Sequence, residues 1–259
     1  MGPRAIENPT AIERFVCLVR LPYPLAALFW SVVLGSPGFY TVQYLETGTT
    51  TFSPADLPAE FLFFLVPFYL FFMVRYMRLR VVAAEAQIGA RLSGGEKDYH
   101  EAFGKMTLTA PVILLTVGIG TVVLSFPAFS DFVPKVSALA AFDVISIYLS
   151  TLGFSTYLWV FATACLGLHK LGGSSLKLGP FLEERMMGAR PMGSLALSLT
   201  VAYFGGLLVV ILLFSGFLAS SISIQALLGT FLVLGVAMFF LPLNRIHVKM
   251  QAEKRRLQR

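Results

Sequence analysis

Charge is scarce in this chain and missing from long stretches of it. Charged residues make up 13% of the 259 residues, about half the share of an ordinary soluble domain. None occurs from Met192 to Asn244. With 56% hydrophobic residues, a soluble globular class is excluded. The two cysteines, Cys17 and Cys165, are too few for a disulfide framework and are read as small apolar packers. The two tryptophans, Trp30 and Trp159, are too few for aromatic belts at both membrane surfaces. The three histidines stand at no metal-ligand spacing from a cysteine or carboxylate. His100 has Glu96, Asp98 and Glu101 beside it, but that segment reads as solvated. The stretch Ser93–Lys97, SGGEK, lacks the leading Gly and the following Ser or Thr of a phosphate loop. No Ser–His–acid or Cys–His arrangement follows from spacing. The sequence therefore predicts no catalytic residue, no metal site and no cofactor. The first apolar run is followed by Gly35, Ser36, Pro37 and Gly38 rather than by a small-x-small cleavage site, so it reads as a retained span.

What the chain has in quantity is apolar runs long enough to cross a hydrocarbon core, which takes about 20 helical residues. Backbone polar groups must pair within each segment in lipid. The fold class expected is therefore all-α, a polytopic membrane bundle of about six spans. These fall at Phe15–Tyr40, Pro58–Val82, Thr107–Phe126, Val136–Leu168, Met192–Phe217 and Ile222–Leu243. They make one transmembrane domain over 1–247, followed by a basic tail, 248–259. Thr10 and Glu13 match a capping box. Pro22 and Pro24 suit a first helical turn, which would make 10–20 a short surface helix. The second span keeps its helical pattern past the bilayer until Ser93, Gly94 and Gly95 break it. The short uncharged link LASSIS, at 218–223, predicts that the last two spans are neighbours.

The positive charge is one-sided. Of the 20 Lys and Arg residues, only Lys135 falls outside the two termini and the connections near 75–105 and 167–190. The opposite connections carry Glu46, Asp56, Glu60 and Asp131. The positive-inside bias accounts for the +6 formal charge without nucleic acid as a partner, and it puts both termini in the cytoplasm of a cell-membrane protein. Arg75, Arg78, Arg80, Arg245 and Lys249 are then cytoplasmic anchors beside an anionic inner leaflet.

Three patterns bear on function. Asp143 is the one acid well inside an expected span with no basic residue near it, and such a group is a functional candidate by default. Helical spacing places Asp143, Ser146, Ser150, Gly153 and Tyr157 on one stripe, which reads either as a hydrated path or as a seam between helices. The segment Thr116–Gly120, TVGIG, resembles the filter sequence of potassium channels. Ile119 stands where that family has an aromatic residue, however, and Thr121 where it has an acid. Thr116 and Gly120 are read instead as a small-residue packing pair, as are Ser198, Ala202 and Gly206, against a neighbouring helix or a second copy of the chain. The stretch from Pro242 to Met250, PLNRIHVKM, is similar to the first helix of a HAMP-type signalling linker, and equally to a stop-transfer segment with a basic flank. Two functions are consistent with these patterns. One is permeation or transport of an ion or small solute along the Asp143 stripe. The other is a non-enzymatic transducer or assembly subunit, which docks a membrane-complex partner through its cytoplasmic helix extensions.

Overall fold

The computed structural model describes residues 5–53, 57–125, 137–174, 190–213 and 222–257. Every regular element among them is helical: α1 (Ala11–Val16), α2 (Tyr23–Leu34), α3 (Ser36–Thr47), α4 (Leu57–Gly89), α5 (Glu96–Phe103), α6 (Thr109–Ser125), α7 (Ala138–Gly173), α8 (Arg190–Leu213) and α9 (Ile222–Leu257). Lys135, Asp56 and Asp131, the connection between α7 and α8, and most of the LASSIS link lie outside the described residues.

The local signals explain the helix boundaries. α1 opens on the capping box. The Thr10 amide and hydroxyl both donate to Glu13 Oε2 at 2.9 Å, and the Glu13 amide returns a bond to Thr10 Oγ1. α2 begins at Tyr23 with Pro24 in its first turn, where a missing N–H costs nothing. The first apolar run is not one helix. It breaks at Gly35, and α3 leaves α2 at 43°. Pro37 in the first turn of α3 cannot return an N–H to α2, so the break is built into the chain.

Four stretches are long and apolar enough to cross a membrane: Glu60–Gly89, Glu96–Leu124, Ala138–Gly173 and Arg190–Leu212. The bent pair α2–α3 makes a fifth if counted as one span, while the apolar part of α9, Leu228–Leu241, is shorter. The helices α4, α7 and α8 form the centre. α2 packs on α4, α6 on α7, and α9 on both α7 and α8.

Burial is uneven along the bundle. Apolar side chains in the middle of the long helices point outward, with Leu114 74%, Val201 65% and Val233 67% exposed. Such exposure on long apolar helices is compatible with a lipid surround. The fully buried residues gather at the basic end. Ile6, Ile12, Val16, Met77, Val81, Tyr99, Phe103, Ala164, Leu168 and Leu171 all belong to one apolar cluster there. Here α1 and α5 fold back onto the ends of α4 and α7, and water-driven burial operates as in a soluble protein. We call this region the base.

The base corrects two sequence expectations. Arg78 is not a free interfacial anchor. It turns inward and grips Glu13 with two bonds of 2.8 Å, Nε to Oε2 and an η nitrogen to Oε1, with a further bond to the Glu7 carbonyl. The Glu13 side chain is 2% exposed. A fork of donors facing a carboxylate is the strong form of ion pair. The segment around His100 is not solvated throughout either. His100 Nε2 lies 2.9 Å from the buried Glu85 carboxylate, and Tyr99 donates its hydroxyl to the Val81 carbonyl. α5 covers the end of α4, its Tyr99 and Phe103 joining Val81 and Ile88 of α4 in one buried cluster.

Candidate functional site

The α2–α3 break meets α4 at a second irregularity. Pro67 lies inside α4 and has no N–H to return to the Phe63 carbonyl. That carbonyl faces Gly35, lying 3.4 Å from where a Cβ would stand. A Cβ on Gly35 would also approach Ser31 O at 2.7 Å and Phe64 Cα at 3.2 Å. On Gly38 it would run into the Val33 carbonyl. All of these are backbone atoms that cannot step aside, the Val33 carbonyl being held within α2. Glycine is required at both positions so that the broken helix can lie against α4. Ser36 Oγ ties the junction by donating to the Glu60 carbonyl at 3.2 Å.

Beside this junction lies a cavity of about 390 Å³, walled by α2, α3, α4, α6 and α7. Its lining is mostly apolar, with Leu34, Phe39, Phe63, Val66 and Phe142 among the wall residues. Its polar groups are few: Ser36, Tyr40 and Glu60 from one side, Asp143, Ser146 and Ser150 from α7. Tyr40 donates its hydroxyl to Glu60 Oε1 at 2.7 Å. Asp143 and Ser150 are half-buried. Ser146 is 9% exposed and its Oγ has no hydrogen-bond partner. Several hydroxyls in these helices donate to the carbonyl one turn back, as Ser31 does to Ala27 at 2.7 Å and Thr116 does to Val112 at 2.8 Å, while Ser155 on α7 is unpartnered like Ser146. A buried hydroxyl that forgoes this bond is costly unless something else in the cavity receives it.

Three of the four path residues expected from the sequence, Asp143, Ser146 and Ser150, thus line one cavity. Tyr157 does not. It is 2% exposed, about 21 Å further along α7 at 1.5 Å per residue. Its hydroxyl donates to the Ala202 carbonyl at 2.9 Å and the Tyr203 carbonyl at 2.7 Å. Tyr69 reaches the same Ala202 carbonyl at 2.8 Å, and Tyr203 reaches the Phe231 carbonyl at 2.8 Å. These tyrosines bolt α4, α7 and α9 to α8. Gly153 is also in a packed seam, against the Phe71 ring.

The packing residues find partners within the chain. Ala202 is buried, Gly206 lies under the Tyr157 hydroxyl, and Ser198 accepts from Arg80 at 3.0 Å. Gly120 lies under the Tyr148 ring, which a Cβ would approach at 2.7 Å. α6 runs unbroken through Thr116–Gly120, so those carbonyls are in a helix and not in a filter. Arg75 stacks over the Tyr23 ring, 4.3 Å from its centre. Arg245 is exposed on α9. Lys249 follows on the same helix, with its side chain outside the described residues.

Sequence reasoning missed Glu60 and Tyr40 as cavity groups, having placed them in or beside an outer connection. The signal was present: Gly35, Ser36, Pro37 and Gly38 interrupt an apolar run, and interrupted spans are where membrane proteins build sites. Among the described residues no group of three or more His, Cys, Asp or Glu could hold a metal ion. No protein-family model, no curated protein and no solved structure matches this chain.

Proposed function

We propose that this is a multi-pass cell-membrane protein with both termini in the cytoplasm, and that it moves an ion or small solute by way of the cavity at the α2–α3 break. In this reading α2–α3 is a broken first span and α9 supplies the sixth. The one-sided distribution of Lys and Arg supports the orientation. The observation that carries the function is the cavity itself: two carboxylates and an unpartnered buried serine converge on a broken helix beside a proline-interrupted one. Breaks of this kind expose helix-end carbonyls where lipid would otherwise forbid them.

The depth of the site agrees with a role in permeation. The Trp159 indole donates to the Lys105 carbonyl at 3.0 Å, which marks the basic surface on α7. Asp143 lies about 24 Å from that level, and Glu60 about 22 Å from Arg75 on α4, at 1.5 Å per residue. These separations support the reading in which both carboxylates fall within a hydrocarbon core of about 30 Å, toward its outer edge. Purified protein in proteoliposomes, screened with protons, potassium, sodium and chloride, tests the proposal. Asp143→Asn is expected to reduce flux at least tenfold while the protein keeps its elution profile. Equal flux in the mutant would sink the assignment of the path.

A second reading rests on α9. It continues as one helix from Ile222 to Leu257 and leaves Arg245, His247, Val248 and Arg255 exposed, as a docking arm would. Under it, deleting 248–259 abolishes partner recruitment and spares membrane insertion.

A further inference from the structure

We infer that the cavity at the α2–α3 break binds an organic cation with an apolar body, and that the carboxylates Glu60 and Asp143 select its charge. The inference rests on the cavity proposed above as the transport site and names the chemistry of what enters it.

The first argument is size against lining. A cavity of about 390 Å³ falls in the range of about 300–1,000 Å³ that suits a drug-sized ligand. A bare inorganic cation would leave most of it empty. Such an ion also needs a shell of oxygens, six to eight of them for calcium, and the walls here are mainly aromatic and aliphatic. The absence of any cluster of three or more metal-binding side chains among the described residues points the same way.

The second argument is charge. Glu60 and Asp143 both face the cavity, and among the described residues no Lys, Arg or His lines it. An anion is therefore repelled, and a neutral apolar molecule would leave two carboxylates facing it without a counter-charge, Glu60 keeping the Tyr40 hydroxyl as a donor. A cation carried on an apolar scaffold satisfies both kinds of wall. Phe39, Phe63 and Phe142 present rings against which a soft cation is attracted. The third argument is Ser146. Its Oγ is buried, lines the cavity and lacks a partner among the described residues, so a ligand in the cavity has a hydroxyl to meet.

The test is equilibrium binding of radiolabelled tetraphenylphosphonium to the purified full chain in detergent. Tetraphenylborate, which has the same shape and the opposite charge, runs in parallel. The expected result is saturable binding of the phosphonium alone, weakened at least tenfold by Glu60→Gln and by Asp143→Asn. Ser150→Leu, which fills the cavity without altering charge, should abolish it. Slow alkylation of the buried Cys165 checks that each variant is folded. Equal binding of both probes, or phosphonium binding that survives the two carboxamide variants and the filled cavity, would overturn the inference. The outcome also separates the two proposals. Asp143-dependent flux of an inorganic ion with no phosphonium binding refutes the organic-cation assignment and leaves transport standing. Selective, acid-dependent phosphonium binding with no flux of any substrate upholds the assignment and removes transport.

Discussion

The pair formed by Glu13 and Arg78 should be the most sensitive single point in the base, and its worth can be worked out from its geometry. Arg78→Met leaves a carboxylate whose side chain is 2% exposed without its counter-charge. Breaking a buried pair in this way costs about 3–5 kcal/mol. The Thr10 amide and hydroxyl still donate to Glu13, which favours the lower figure. About 3 kcal/mol corresponds to roughly a hundredfold rise in the open population. Glu13→Gln leaves the guanidinium with neutral acceptors alone, the amide oxygen and the Glu7 carbonyl, and should cost a similar amount. The double variant buries no charge, so its loss should fall short of the sum by about 2 kcal/mol or more. The chain carries its own reporter. Cys165 is 2% exposed and belongs to the same apolar cluster, whereas Cys17 is exposed. In a Cys17→Ser background, the rate of maleimide attachment to Cys165 in detergent reads opening of the base. Single variants should label about a hundredfold faster than the parent, and the double variant more slowly than additivity requires. Strictly additive effects, or single variants within threefold of the parent, would refute the view that this pair holds the base shut.

Two further outcomes follow from the packing of the glycines. A Cβ on Gly206 would meet the Tyr157 hydroxyl and approach its ring at 2.8 Å, so Gly206→Ala should lower stability by about 1–3 kcal/mol. Adding Tyr157→Phe should recover part of the loss, read as a melting temperature in detergent. On α6, Gly118 has open space around it while Gly120 lies under Tyr148. Gly118→Ala should therefore stabilise by about 0.5–1 kcal/mol, Gly120→Ala should destabilise, and Tyr148→Leu should relieve the second effect. Loss of stability on Gly118→Ala would show that α6 is not the regular helix described.

How much of this was legible in the sequence depends on the range of the forces involved. Hydropathy and local caps are short-range signals, and they read well. The Thr10–Glu13 box, the start of α2 near Pro22 and Pro24, and the run of α4 past its apolar part all appear where the residues indicate. The stripe of Asp143, Ser146 and Ser150 was legible because helical spacing alone sets it. What opposes a stripe is not local. Tyr157 shares that stripe, yet its hydroxyl is taken by α8. Arg78 looked like an interfacial anchor until α1 brought Glu13 to it from far along the chain. Glu60 looked like a rim acid because nothing in its own segment shows the broken helix across from it. The His100 segment was misread for the same reason, since its apolar face becomes meaningful only once the end of α4 lies beneath it.

The location of the base sets an order on how the protein can be made. Ile12 and Leu171 belong to one buried cluster, and α1 packs against both α4 and α7. At about 5–20 residues per second of synthesis, the first helix waits on the order of 10–30 s for α7 to leave the ribosome. Glu13 meets Arg78 only 65 residues later, but the contacts of α1 with α7 wait for the whole interval. α1 therefore settles fully only after α7, although it precedes α7 by more than a hundred residues, and the interval is a window for a chaperone or a protease to act.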